Sequence, residues 1–313
     1  MSTVHLGKKD LISILDLSSD ELGSIINVAE MIRVKHKNRE MFFPLLGKSL
    51  AMIFTKSSTR TRVSFEIAMF QLGGAALYLN PQDMQLGRGE TIADTAKVLS
   101  RYVDGIMIRT YAHSDVLELG QNASIPVING LTDDEHPCQI IADILTIKDR
   151  KKSVKGLKVA YIGDGNNVCN SWLYAAPKAE MHMAVASPAG YLPKDNVVSK
   201  ARELAALSKT QILLTESPEE AVKDADVIYT DVWASMGQEA EAEKRKKEFA
   251  RYQVNSVLLK HARKDCLVMH CLPAHRGEEI SAEVMDGANS VVFDEAENRL
   301  HAQKAILALL MGK

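Results

Sequence analysis

Leu50-Ala51-Met52-Ile53-Phe54-Thr55-Lys56-Ser57-Ser58-Thr59-Arg60-Thr61-Arg62 is the stretch whose reading decides the fold. Its apolar start, 50–53, reads as a buried strand. Beyond it, Val63, Ile67 and Phe70 recur at helical spacing on one face. Hydroxyls and guanidiniums therefore fall where a strand ends and a helix begins. The first turn of a helix has unbonded N–H groups and a partial positive charge. Ser, Thr and Arg side chains added there make an anion site, most naturally for phosphate. Ser58 or Thr59 also suits the helix cap, and a capped helix with surface arginines is the plainer alternative.

The same alternation continues outward in both directions. Ser18 to Glu21 reads as a capping box, and Leu22, Ile25, Ile26, Ala29 and Ile32 follow at helical spacing. Gly73-Gly74 ends the helix after the anion loop, and 75–79 reads as a strand. The polar stretch 80–90 is long enough to be a functional loop. Thr91 opens a further helix. Strands are expected at 105–108 and 125–128, the latter closed by a turn at Asn129-Gly130. His136-Pro137-Cys138-Gln139 opens a helix to about Arg150, with Pro in the first turn. The basic run 151–156 crosses to a second domain. There, strands are expected at 157–162, 182–186, 211–214, 227–229, 267–269 and 290–293, with helix starts after 163–167 and at Ser217-Pro218. Strand–helix alternation through both halves predicts an α/β protein: two parallel-sheet domains of similar size joined by two helices. The expected bounds are 1–148 and 149–294, with an amphipathic helix in 295–313 packing back on the first domain.

Composition bounds the function. The 313 residues are 46% hydrophobic and 25% charged, which is ordinary globular usage. A net charge of −2 gives no global attraction to nucleic acid or anionic membrane. No apolar run is long enough to span a bilayer, and residues 1–20 lack a signal-peptide core. Four cysteines without a CxxC pair fit a reducing cytoplasm. His270, Cys271 and His275 lie close in sequence but lack a second ligand pair for zinc.

Several polar residues stand at the carboxyl ends of expected strands, where open α/β sheets bind ligands. Arg109 ends one strand. His136 and Gln139 share a helix face near the anion loop and are candidate donors to a carbonyl oxygen. Asn166 and Asn167 follow the Gly163-Asp164-Gly165 turn. That turn is an imperfect dinucleotide fingerprint, because Val168 holds the third glycine position and no acidic residue ends the next strand. Asp231 suits a substrate ammonium or an ordinary cap. Cys271 suits a nucleophile, a hydrogen-bonding group or a buried thiol.

Taken together, the SxRTR segment at 58–62, HPxQ at 136–139 and HCLP at 270–273 resemble the carbamoyltransferase family over essentially the whole chain. The Asp231 loop with Ser235-Met236-Gly237, the 163–167 turn and Glu295-Ala296-Glu297-Asn298-Arg299 resemble its ornithine-specific branch. The resemblance implies a first domain for carbamoyl phosphate and a second for ornithine. It implies Ser58, Thr59, Arg60, Thr61 and Arg109 on the phosphate, and His136, Arg109 and Thr61 on the carbonyl oxygen. Gln139 and the backbone of Cys271 and Leu272 are implied on the carbamoyl amide. Asn167, Asp231, Ser235 and Met236 are implied on ornithine, with Cys271 and Arg299 near the reacting centre. Gln85 is implied to reach a neighbouring subunit's site in a homotrimer or a multiple of trimers. No cofactor or metal is implied. The alternatives are carbamoyl transfer to putrescine, N-acetylornithine or aspartate, a binding protein of the same fold, and a nicotinamide dehydrogenase.

Overall fold

The computed structural model describes residues 6–312 apart from 87, 88, 236 and 238. Met236, expected at the ornithine site, therefore lies outside the described residues.

The chain forms two compact units, one of residues 1–145 with 298–313 and one of residues 146–297. In the first, α1 (Ser19–Lys37) precedes β1 (Ser49–Phe54), α2 (Thr59–Gln71) and β2 (Ala75–Leu79). Then come α3 (Ile92–Leu99), β3 (Gly105–Arg109), α4 (His113–Asn122) and β4 (Val127–Leu131). The four strands are parallel in the order β2-β1-β3-β4. β1, β3 and β4 are buried almost throughout, as expected for strands covered on both faces. The capping box at Ser18 and Glu21 forms as read from the sequence.

α5 (Pro137–Lys151) leads into the second unit. There follow β5 (Lys158–Ile162), α6 (Asn167–Lys178), β6 (His182–Ala186), α7 (Asp195–Ser208), β7 (Ile212–Thr215), α8 (Pro218–Val222) and β8 (Val227–Thr230). Short helices α9 (Ala242–Phe249) and α10 (Ser256–Leu259), β9 (Leu267–His270) and α11 (Ala282–Met285) follow. α12 (Val292–Met311) ends the described chain. The five strands are parallel in the order β7-β6-β5-β8-β9. Sequential outward winding from β5 in both directions places the reversal of strand order between β5 and β8, where such sheets present a ligand crevice. The unit boundaries fall inside α5 and α12.

Three local expectations are corrected. Val63, Ile67 and Phe70 form the exposed stripe of α2, with 75% of Phe70 accessible, while Phe65, Ala68 and Met69 face the core. Asn129-Gly130 is not a turn but part of β4. A Cβ on Gly130 would stand 2.6 Å from Met107 Sδ and 3.1 Å from the Ile108 carbonyl oxygen, so β3 and β4 pack closely at this glycine. Residues 290–293 are not a strand. Ser290 makes only an isolated bridge to Val268, and Val292 already begins α12.

Candidate active site

The anion loop forms at the carboxyl end of β1. Ser58 is the N-cap of α2, and its hydroxyl accepts from the Thr61 N–H at 3.1 Å. The same hydroxyl donates to Thr61 Oγ1 at 3.1 Å. Thr59 and Arg60 are exposed at the start of the helix, whereas Thr61 is buried. The two arginines of the segment divide their roles. Arg62 stacks over Tyr78, 3.9 Å from the ring centroid, and pairs with Glu66, which turns it away from the loop. Arg60 remains with the loop.

Neighbouring elements add cations. Arg109 ends β3 and is buried, its Nε donating to the Lys56 carbonyl at 3.2 Å. Lys56 is itself buried against the Tyr111 ring and pairs with Asp133 at 3.1 Å. Arg299 reaches in from α12 and donates to Gln139 Oε1 at 2.7 Å and to Thr61 Oγ1 at 3.1 Å. Gln139 in turn donates to Asp143 at 2.8 Å. One arginine thus ties α2, α5 and α12 together. His136 lies among these groups and is buried. Burial first, then the charges of Arg299, Arg109, Lys56 and Arg60, hold its pKa well below the usual imidazole range. His136 is therefore neutral at physiological pH, able to donate a hydrogen bond without carrying charge. Four cations around a neutral ring, with Asp133 paired to Lys56, describe a site for a multiply charged anion.

The second unit has the opposite electrical character. Asn166 caps α6, its Oδ1 accepting from the N–H groups of Val168 and Cys169 and from the Tyr161 hydroxyl at 3.0 Å. Its Nδ2 donates to Asp231 Oδ2 at 2.8 Å. Asp231 Oδ1 accepts from the Val232 N–H at 2.8 Å and from the Cys271 thiol at 3.0 Å. The Cys271 thiol is thereby engaged as a hydrogen-bond donor to that carboxylate. Asn167 is buried beside this set, and Ser235 is half-buried four residues beyond Asp231. Leu272 takes a left-handed backbone, φ 57°, and its N–H donates to His270 Nδ1 at 2.9 Å. His270 Nε2 faces Glu279 Oε1 at 3.0 Å, and the His270 N–H donates to Glu295 Oε2 at 2.9 Å.

Donor atoms of Asp231, His270 and Cys271 lie within 4.8 Å of one another, a possible metal set by spacing alone. Those of Asp231 and Cys271 already bond one another. The 163–167 turn does not form a dinucleotide cradle. A Cβ on Gly165 would stand 2.6 Å from the Leu192 carbonyl carbon, so the chain's own backbone takes the approach that a pyrophosphate would need.

Residues 9–149 match the carbamoyl-P binding domain of the aspartate/ornithine carbamoyltransferases, and residues 155–310 match their Asp/Orn binding domain. The chain belongs to the aspartate/ornithine carbamoyltransferase family. It is 59% identical to an ornithine carbamoyltransferase of Pyrococcus horikoshii, covering 99% of this chain and 98% of that one. It is 57% identical to a Pyrococcus furiosus protein named as the anabolic ornithine carbamoyltransferase, over 99% of this chain and 98% of the other. A solved ornithine carbamoyltransferase structure from Pyrococcus furiosus superposes with a TM-score of 0.96, covering 99% of each chain at 57% identity.

Within this carbamoyltransferase, the residues singled out from sequence separate into two sets. Ser58, Thr59, Arg60, Thr61, Arg109, His136, Gln139 and Arg299 belong to the first unit, and Asn167, Asp231, Ser235, Cys271 and Leu272 to the second. Gln85 is exposed on the 80–90 loop and makes no hydrogen bond to either set among the described residues. Sequence reasoning missed Lys56, although it sits inside the segment first quoted. It also missed Glu279, whose partner His270 ends β9, and took Glu295 only as part of the 295–299 segment, without its partners Tyr229 on β8 and His270 on β9. The signal for these two was the presence of acidic residues at otherwise buried positions of an apolar pattern.

Proposed function

We propose that the chain transfers the carbamoyl group of carbamoyl phosphate to the δ-amine of L-ornithine, giving L-citrulline and phosphate in arginine synthesis. The observation that carries this reading is the convergence of Arg60, Arg109, Arg299 and Lys56 on a neutral His136 in the unit that matches a carbamoyl-P binding domain. Ornithine rather than aspartate is favoured by Asp231 and its Asn166 and Cys271 partners. An acidic group suits an amine and repels a second dicarboxylate. The relatives carry the same activity in their names.

In this reading Ser58, Thr59, Arg60, Thr61 and Arg109 bind the phosphate. Arg109, His136 and Thr61 donate to the carbonyl oxygen, while Gln139 and the carbonyls of Cys271 and Leu272 accept from the carbamoyl amide. Asn167, Ser235 and Met236 hold the ornithine head group, and Asp231 orients the amine. The neutral δ-amine attacks the carbamoyl carbon, its new C–N bond forming as negative charge develops on the oxygen. The C–O bond to phosphate then breaks, and the phosphate takes the electron pair together with the proton released by the attacking amine, leaving as hydrogen phosphate. Fixed donors lower the barrier because they already point to where the charge grows. A neutral His136 does this without a proton being lost from an imidazolium. Arginines match the leaving dianion, so the reading requires no metal. Cys271 acts as a hydrogen-bond donor to Asp231, not as a nucleophile. Arg299 holds Gln139 and Thr61 in place. The assembly is a homotrimer or a multiple of trimers, with Gln85 serving a neighbouring site, and the compartment is the cytoplasm. No described helix is long and apolar enough to cross a membrane.

A citrulline assay tests the reading. Carbamoyl phosphate is supplied with ornithine, aspartate, putrescine or N-acetylornithine in parallel. Turnover with ornithine alone is expected. A preference for any other amine would reassign the role of Asp231. No turnover by folded protein that still binds carbamoyl phosphate would leave only a binding role. A free alkyl amine has a pKa near 10.4, so kcat/KM for ornithine should climb about tenfold per pH unit from 6 to 8. No inflection from His136 is expected near 6.5, because its pKa is depressed below that range.

A further inference from the structure

A cavity of about 530 Å³ opens in the first unit, away from the residues assigned above. It lies among the end of α1, the 39–43 segment that follows it, the end of α2, and α12. Phe42, Phe43 and Phe70 supply aromatic wall, Arg39 and Lys304 supply cations, and Glu40, paired with Lys35, supplies a carboxylate. Lys304 is 1% exposed and has no hydrogen-bond or ion-pair partner among the described residues. Gln71 Oε1, also on the wall, is buried and accepts no hydrogen bond.

Burying an ammonium without an acceptor is costly, and such groups are normally paired. The charges facing Lys304 make no counterion for it. Lys35 is neutralised by Glu40 at 2.9 Å. His36 is held below the usual imidazole range, first by the charge of Lys304. His301, on the same helix, is pushed down to about 3, by burial and then by the charges of Lys304, Arg33, His36 and Lys37. Burial takes Lys304 itself down to about 8. Three features thus converge on one wall: a buried cation lacking an acceptor, a buried amide oxygen lacking a donor, and a rim of phenylalanines. Their complement is a molecule with an anionic oxygen, an N–H or O–H donor and a flat apolar body.

We propose that this cavity is a second small-molecule site on the carbamoyl phosphate domain, taking an aromatic or apolar carboxylate that carries an N–H donor. The carboxylate meets Lys304, the donor meets Gln71 Oε1, and the ring lies against Phe42, Phe43 and Phe70. The site does not depend on the roles proposed for the anion loop, because Lys304 and Gln71 belong to neither substrate set.

Anthranilate, a fluorescent aminobenzoate, is the probe, and its uncharged amide is the control. Saturable binding of anthranilate to the intact protein is expected below about 10 mM, with the amide roughly tenfold weaker or worse. Lys304→Met, which keeps the volume and removes the charge, should weaken anthranilate by roughly tenfold, and Gln71→Leu by about threefold. Arg60→Ala should leave the affinity unchanged, which separates this site from the phosphate loop. Equal binding of acid and amide would overturn the proposal. So would wild-type affinity in folded Lys304→Met, loss of binding in Arg60→Ala, or no saturable binding by the wild type, the result expected if a neighbouring copy's carboxylate fills the cavity. Thermal melts of both cavity variants establish that they are folded, and Lys304→Met is expected to melt no lower than the wild type.

Discussion

The turn after β1 and the turn after β5 start from the same plan and arrive at opposite electrical results. Each joins a buried parallel strand to a helix, and each helix is capped by a small polar side chain, Ser58 in one and Asn166 in the other. Both present a helix N-terminus, which favours anions. What separates them is the adjacent strand. β3 brings Arg109 to the first turn, whereas Asp231, just beyond β8, stands beside the second. The first turn accumulates cations, from Arg60, Arg109, Lys56 and Arg299. At the second, Asp231 is already supplied with three donors, from Asn166, Val232 and Cys271. Helix ends supply a general preference, and the neighbouring strand ends decide what is bound.

This contrast can be broken most severely at the first turn. Arg60→Ala should lower kcat/KM for carbamoyl phosphate by about 10³, because a charge-assisted contact to the dianion is lost in a site with few competing acceptors. Steady-state kinetics at saturating ornithine provide the check, and a loss below tenfold would place the clamp elsewhere. At the second turn, Asp231→Asn should raise KM for ornithine by roughly 10² while leaving KM for carbamoyl phosphate within twofold. Equal effects on both substrates would mean that the two turns are not electrically specialised. Cys271→Ser keeps a donor to Asp231 and should retain activity within about tenfold, as single neutral hydrogen bonds contribute modestly. Loss comparable to that of Arg60→Ala would instead indicate a covalent role for the thiol.

The smallest effect concerns stability. Glu135 sits beside the first site, 5% exposed, accepting from the Ser13 hydroxyl and the Ile14 N–H. Burial raises its pKa from 4.5 to about 7. The folded form therefore holds this proton more tightly than the unfolded chain. The resulting stabilisation is full below pH 4.5 and is lost as pH climbs to about 7, by at most about 3 kcal/mol. Glu135→Gln, which cannot ionise, should gain stability relative to the wild type across that window in denaturant titrations. A pH-independent difference would show that Glu135 titrates normally in the fold.

Much of the comparison was legible in sequence, for a local reason. Strand, cap and polar turn occur within a dozen residues at 50–62 and again at 157–167, so periodicity and helix-cap chemistry suffice to place them. Asp231 and Arg109 were readable as strand ends by the same logic. What stayed hidden was set by long-range pairing. Lys56 is fixed by Asp133 and Tyr111, far along the chain, and the His270 loop is fixed by Glu279 and Glu295. The apolar run Val291-Val292-Phe293 has the composition of a strand, yet α12 starts within it, because packing overrode a weak intrinsic preference. Val63, Ile67 and Phe70 show the complementary failure. α2 carries apolar residues on two faces, and spacing alone does not say which one turns inward.

Arg299 has a consequence for the birth of the protein. The first unit is assembled from residues 1–145 and 298–313, with 152 residues of the second unit made in between. On a ribosome adding about 5–20 residues per second, the guanidinium that ties Thr61 to Gln139 arrives about 8–30 s after those two have emerged. During that interval the nascent first unit lacks the brace, which is complete only when synthesis reaches α12.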